Sequence, residues 1–514
     1  MIGETFEDLA LQYKGAYLPA LTLAIILTSF TMMTYGTIVT VAVPNVMGAF
    51  GIGQDKAQLM ATGFYIAMTT SQLICAWLIF AIGHYYTFFV AIIFFAFACF
   101  LGAFAEDFGV IILARVIQGA AAGILMSQTM IAIVQAYPAA RRGFALTMFT
   151  SGGILAIGIG PLLGGIVIEA LSWRHIFLIP LPLLFIAFLI GIFVMPKSRR
   201  REKPRFDWYG LAFLIVALYC FMTVFADGQR QGWVSNSIIS LTVIGVTSAV
   251  SFVYIQIYSS YRLLNLTVFK YPVFIAAVLI TFCVGMGNFG AIYAVPIFAQ
   301  IIQNFSPVDA GLIMLPASIL TIILLPVIGR FSDAISPRYG AMIGLGCFFL
   351  GTVPLVLADF NTSYLYVMSF VILSRLGMGI NNPVVAKAAL SALPPDQIAE
   401  GTSTLNFFRM LGTSLGTTAW VVFLEIRTQF HSNALSSTQD PSNQTSQEFL
   451  SRIGSIYREL GLTISNIEAL SLIHLSDIIY LQSNKFGFQD GFAVLSSIFI
   501  VAMIPAYLIG KKKY

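Results

Sequence analysis

Ser151-Gly-Gly-Ile-Leu-Ala-Ile-Gly-Ile-Gly-Pro-Leu-Leu-Gly-Gly165 places six glycines and a proline within fifteen residues, and no helix in water tolerates that density. Each glycine costs an exposed helix interior about 1 kcal/mol relative to alanine. In lipid the backbone has no water to bond with, so the helix persists and bare glycine surface becomes an advantage. Ala156, Gly160 and Gly164 fall four apart, a side-chain-free stripe along which a neighbouring helix approaches backbone to backbone, and Gly153 and Gly165 belong to the same packing motif. Pro161 has no amide hydrogen, which frees the carbonyl of Ile157 and bends or softens the helix at a fixed point. The plainer alternative is that the small residues serve packing alone.

Outward from this span, stretches of about 20 apolar residues recur. Fourteen can be counted, with the glycine run in the fifth at about 144–168 and the last at about 490–510. Of 514 residues, 58% are hydrophobic and 10% charged, and the mean hydropathy is +0.88; this excludes a soluble multidomain protein. The fold class expected is an all-α polytopic membrane protein.

Cys75, Cys99, Cys220, Cys283 and Cys347 lie inside apolar spans with no spacing pattern, which reads as packing. Four histidines without a cluster leave no metal or cofactor site to expect, and no phosphate-binding loop sequence points to ATP. The segment from Met1 to Tyr17 is acidic (Glu4, Glu7, Asp8) and lacks the basic start of a cleaved signal peptide.

Basic residues crowd the termini and every second connection: Lys14, Arg141, Arg142, the Lys197–Arg205 run, Arg262, Lys270, Arg330, Arg338, Lys387 and Lys511 to Lys513. The opposite connections hold far fewer, among them Lys56, Arg230, Arg427, Arg452, Arg458 and Lys485. By the positive-inside rule both termini are cytoplasmic, and the basic run needs no nucleic acid partner. That run follows span six. The division expected is a six-helix bundle at 1–196, a basic linker with an inserted helix pair at 197–260, and a second six-helix bundle at 261–514.

Several segments resemble the fourteen-span drug:proton antiporters of the major facilitator superfamily, typified by EmrB and QacA. The 151–165 run resembles the antiporter motif of helix five. Thr37-Ile-Val-Thr-Val-Ala-Val-Pro44 resembles the tail of the first-helix motif, and Leu113-Ala-Arg-Val-Ile-Gln-Gly-Ala-Ala-Ala-Gly123 the arginine motif of helix four. Trp173-Arg-His-Ile-Phe177 is similar to the turn into helix six, Gly329-Arg-Phe-Ser-Asp-Ala-Ile-Ser-Pro-Arg-Tyr-Gly340 to the second-half gate loop, and Arg409-Met-Leu-Gly-Thr-Ser-Leu-Gly416 to the thirteenth-helix motif. The resemblance implies two six-helix bundles plus two inserted helices, a substrate site between the bundles, and a role for Arg115 in proton coupling. A structural lock against backbone carbonyls is the other reading of Arg115, and the preferred one for Arg375. In the gate loop, Asp333 can accept bonds from a helix N-terminus while Arg330 and Arg338 pair with acids or phosphates. The first-half counterpart, Phe80-Ala-Ile-Gly-His-Tyr-Tyr-Thr-Phe88, lacks both charges and leaves gating to packing or His84.

The family's first helix carries an Asp where this chain has Tyr35, and no Asp or Glu falls in the middle of any span. A buried carboxylate of raised pKa is what trades a proton for a cationic drug. Without one, the expected cavity is neutral and aromatic, with Tyr35, Gln72, Gln118, Gln128, Asn288, Tyr293, Asn381, Asn382 and Asn406 as candidates, many of which serve equally as interhelical ties. Neutral or anionic substrates are favoured over cations, and proton coupling falls to Glu169, Glu425, Asp490 or His84 near the faces. Between the last two spans, 428–489 reads as an irregular start followed by a helical stretch through Phe449, Ile453, Ile456 and Leu460, a stop at Gly461, and a second helix over Asn466–Leu481. The resemblance implies a periplasmic membrane-fusion adaptor there; a lid over the cavity mouth is the alternative.

The expected function is secondary active export of small amphipathic compounds from an inner membrane. A uniporter or uptake carrier and a transport-inactive scaffold or sensor are the rivals.

Overall fold

The computed structural model describes residues 5–57, 59–197, 205–259, 261–305, 307–440, 442–460 and 464–509. Residues 198–204 of the basic run, Gly461 and Lys511 to Lys513 lie outside the described residues, as do the side chains of Pro161 and Tyr293. Among the described residues there is no strand. The first bundle follows a short helix α1 (Phe6–Tyr13) and comprises α2 (Tyr17–Phe50), α3 (Leu59–Ala103), α4 (Phe108–Ala136), α5 (Arg142–Ala170) and α6 (Pro180–Val194). The inserted pair is α7 (Trp208–Gln231) and α8 (Asn236–Tyr258). The second bundle is α9 (Pro272–Ile301), α10 (Met314–Ala334), α11 (Pro337–Thr352), α12 (Tyr364–Ser391), α13 (Ile398–Ser436), α14 (Gln444–Glu459) and α15 (Ile464–Leu508).

Eleven helices among the described residues are long and apolar enough to cross a membrane. One of them, α3, has 45 residues, about 67 Å at 1.5 Å per residue and more than twice a hydrocarbon core of about 30 Å. It folds back at Gly83, whose φ of 84° and ψ of 168° suit only glycine, so α3 holds two crossings. Glycine α5, with 29 residues, runs as a single helix through the whole 151–165 segment.

Helix α2 packs on α5 and α6, and α3 on α4; in the second bundle α9 packs on α13, α11 on α12, and α15 on α9 and α13. The bundles meet where α5 touches α10 and α12, and where α13 touches α3 and α4. Helix α7 lies along that second contact: Leu214, Leu218 and Met222 pack with Ile66, Leu73 and Phe407. Buried Asp207 starts the inserted pair by capping the Gly210 amide at 2.7 Å. Gln256 donates to the same carboxylate at 2.7 Å and accepts from the Leu263 and Leu264 amides, which ties the end of α8 to the start of α7.

Two segments differ from the sequence-based expectation. The N-terminal stretch is not a purely polar lead-in. Thr5 and Asp8 form a reciprocal cap that starts α1, and Phe6 and Leu9 are buried, with the Phe6 ring 5.0 Å from the His84 ring. In the 428–489 segment, α13 continues helically past His431 to Ser436, and the expected helix over Asn466–Leu481 is the first part of α15, continuous with the last span. Helix α14 lies against α15, where the Phe449 ring stacks on His474 and Gly454 faces Ile467. No proline separates Leu481 from the apolar run after Asp490, and the lone Gly487 packs closely on Thr428, so the helix continues.

Candidate functional site

The first turn of a helix exposes amide hydrogens and a partial positive charge, both of which suit a carboxylate. At the start of α5, Gly143 and Phe144 donate their amides to Asp333 on α10, at 2.9 Å to one oxygen and 3.1 Å to the other. Lys387 on α12 donates to the same carboxylate at 2.9 Å. A Cβ at Gly143 would lie 2.4 Å from the Asp333 oxygen, and one at Gly329 would lie 3.1 Å from the Phe144 Cα, so glycine is what permits both approaches. One carboxylate thus joins a helix of the first bundle to two of the second. Of the two arginines in the same loop, Arg338 stacks over the Tyr507 ring at 3.6 Å rather than pairing with an acid, and Arg330 is exposed.

The glycine run packs α5 on α2 along a narrower line than its composition suggests. A Cβ at Gly152 would lie 2.2 Å from Ser29 Oγ and 2.7 Å from the Ile26 carbonyl oxygen, and one at Gly160 would lie 2.3 Å from Thr37 Oγ1. Ala156 between them is fully buried, and Gly164 is buried. Gly153 meets only Met33 at an ordinary 3.6 Å and Gly165 meets nothing within 4 Å. These two are therefore not part of the close contact, because at 100° per residue they point away from the 152/156/160 face.

Among the described residues, Arg115, Arg375 and Arg409 stand inside helices long and apolar enough to cross a membrane, and at membrane depth an unpaired guanidinium costs on the order of 3 kcal/mol or more. Arg115, 1% exposed, donates to the Met60 carbonyl at 3.2 Å and is flanked by the rings of Phe64 at 4.1 Å and Tyr35 at 5.1 Å. The Tyr35 hydroxyl donates to Gln118 at 2.8 Å. The position occupied by an Asp in the resembling family is therefore beside this arginine, and here an aromatic ring fills it. Arg375, 3% exposed, makes long contacts to Asn288 (3.4 Å) and the Met314 sulfur (3.5 Å), and together they border a small crevice within the second bundle.

Arg409 is different, because its neighbours come from both bundles. It donates to Asn406 at 2.7 Å, and its guanidinium stands 6.0 Å from the Phe149 ring on α5. Asn406 is 1% exposed and donates across the contact to Ser127 on α4 at 3.4 Å. Gln72 on α3 is fully buried, and neither of its side-chain polar atoms has a partner among the described residues; the same holds for Ser403 Oγ on α13. Cys75 packs with Ile131 and Ala399, while Leu73 and Ile66 pack near Phe407, so α3 and α13 run antiparallel. Gln72, one turn from Cys75, and Ser403, one turn from Ala399, therefore sit at one level of this interface.

Other candidates are ties within a bundle rather than cavity groups. Gln128 donates to the His84 carbonyl at 3.2 Å and lies 3.0 Å from His84 Nδ1, and Asn381 donates to the Ala341 carbonyl where α11 and α12 press together at Gly344. Asn382 is half-buried, and Glu169 and Glu425 are exposed. Asp490 accepts from Arg427 and lies within bonding distance of His431, both at 2.7 Å, an ion-pair cluster joining α13 to α15. Lys387, Gly143 and His431 are the functional neighbours that sequence reasoning missed. Their partners lie 54, 190 and 59 residues away, and no local pattern marks such pairs.

The sequence profile of the Major Facilitator Superfamily matches residues 24–417. The chain is similar to the MFS-type transporter YhcA of Bacillus subtilis (strain 168), 26% identical over 469 residues that cover 91% of this chain and 88% of that one. It is also similar to the multidrug export protein EmrB of Escherichia coli (strain K12), 28% identical over 459 residues, 88% of each chain. Among solved structures, the human organic anion transporter MFSD10 superposes with a TM-score of 0.60 at 11% identity, covering 95% of this chain and 98% of that one. The proton:xylose symporter XylE does so with a TM-score of 0.58 at 11% identity, covering 96% and 95%. At that identity the two structures speak to the fold.

Proposed function

The chain belongs to the major facilitator superfamily, and from that premise we propose that it is a secondary active exporter of small, neutral or anionic amphipathic compounds that works by alternating access. It is a transporter and not an enzyme. The observation that carries the reading is Asp333: a single carboxylate bridges the first turn of α5 and Lys387, a contact that must break if the bundles tilt apart at that end. Fourteen crossings, with both termini cytoplasmic, put this latch on the cytoplasmic side of a bacterial inner membrane. The functional units are 1–196, the linker and inserted pair at 197–260, and 261–514. The preference for neutral or anionic cargo follows from Arg115, Arg375 and Arg409, which have no ion pair among the described residues, and from the ring of Tyr35 standing beside Arg115 where a carboxylate would serve a cation.

Proton coupling, on this reading, runs through Glu169, Glu425, Asp490 or His84, and the α14–α15 hairpin within 428–489 is the surface offered to a periplasmic adaptor. Efflux from inverted vesicles with and without a proton gradient tests the function. An exporter of this kind accelerates dye movement only when the gradient is present. A uniporter ignores the gradient, and a scaffold moves nothing. Purified protein is expected to bind ethidium at least about tenfold more weakly than an anionic dye of similar size, since a cation meets a fixed like charge; equilibrium dialysis of both dyes measures this, and tighter ethidium binding would contradict it.

A further inference from the structure

Of the three arginines at membrane depth, Arg115 has its faces covered by Phe64 and Tyr35 and its Nε bonded to a carbonyl, all within the first bundle. Arg375 is bordered by Asn288, Ser374 and Met314, all within the second. Neither environment changes when one bundle tilts against the other. Arg409 is the one whose surroundings are divided: Asn406 beside it on α13, Phe149 facing it from α5, and Ser127 on α4 reached through Asn406. Among the described residues its guanidinium makes one hydrogen bond and no ion pair. About 9 Å along the same interface from Arg409, the amide of Gln72 and the hydroxyl of Ser403 have no partner among the described residues.

A half-buried guanidinium without a counter-ion, as Arg409 is among the described residues, is stabilised by a planar oxyanion, which accepts two parallel N–H bonds from its fork. Because a ligand shifts an equilibrium only by binding one state better than the other, a charge placed between the moving bodies is where binding and tilting become linked. We propose that Arg409, oriented by Asn406, recognises the carboxylate or sulfonate of the transported compound, with Gln72 and Ser403 supplying neutral hydrogen bonds and Phe149 flanking its apolar body. This rests on the transport reading above and assigns its anion-binding residue.

The test is fluorescein binding to the full chain in lipid nanodiscs, read by anisotropy against empty discs. Arg409→Gln is expected to raise Kd at least about tenfold, as loss of a charge-assisted pair does. Arg409→Lys, which keeps the charge without the fork, should raise it about threefold or more. Arg262→Gln, which removes an exposed charge bonded to the Ser259 carbonyl, should stay within about twofold. Equal affinity in wild type and Arg409→Gln, or no wild-type binding above empty discs, overturns the assignment; if Arg409→Gln does not fold, an unchanged Kd in Arg409→Lys does so instead. The two readings fail differently. Vesicles that move neither fluorescein nor a neutral dye remove the transport reading and this inference with it, whereas vesicles that export a neutral dye while fluorescein binding ignores Arg409 remove the anion site alone.

Discussion

Asp333→Ala is expected to cut efflux at least about tenfold while leaving a folded protein. The carboxylate accepts two amides from the first turn of α5 and an ammonium from α12. Hydrogen bonds to charged groups contribute about 1.5–3 kcal/mol each. With the partial exposure of this pair, 21% for Lys387 and 17% for Asp333, a total near 3 kcal/mol is a fair discount. That shifts an open-to-closed ratio by about a hundredfold. The residue sits at a helix end outside the packed core of either bundle, so the unfolding midpoint should move by only a few degrees. Gly143→Ala should weaken efflux in the same direction, because its new methyl would lie 2.4 Å from the Asp333 oxygen and push it away. Vesicle transport together with thermal unfolding of the two variants checks this, and full activity in Asp333→Ala would exclude a latch.

Gly152→Val and Gly165→Val offer the second large contrast, in stability. At position 152 the added atoms meet Ser29 Oγ and the backbone of Ile26, and backbone cannot rotate away. Overpacking of this kind costs about 1–3 kcal/mol, and more where main chain must move. At position 165 there is open space, and valine is a comfortable residue in a lipid-embedded helix. Gly152→Val should therefore lower the unfolding midpoint in detergent by many degrees or abolish folded yield, while Gly165→Val should resemble the wild type. Equal losses at the two positions would mean that the α2–α5 contact is not the one described.

Much of this architecture was legible along the chain because a membrane restricts it to apolar helices. Apolar span positions follow from local composition, and the ability of Asp333 to cap follows from what a helix terminus lacks. The glycine run was legible as a packing surface but not in its precise face, since Gly153 and Gly152 are indistinguishable until the partner helix is placed. The remaining features depend on contacts between distant residues. Nothing near Lys387 announces that Asp333 lies 2.9 Å away. Phe6 reads as a stray aromatic in an acidic segment until His84 is found beneath it. The continuity of α15 was hidden because apolar scanning stops at the polar residues Asn484, Lys485 and Asp490, which a helix outside or at the edge of lipid carries without strain. Which arginine is locked and which is available was likewise undecidable from motifs, because the answer lies in the rings and carbonyls supplied by other helices.

On the transport reading proposed above, the two bundles tilt about their contact under control of the Asp333 latch. Spin labels at the exposed positions Ala140 and Arg330, on either side of that latch, report it most directly. In a background without the five native cysteines, pulsed dipolar spectroscopy should give one short distance in the otherwise wild-type protein, and a second, longer population should appear when Asp333→Ala is added. The same single distance in both proteins would contradict the account.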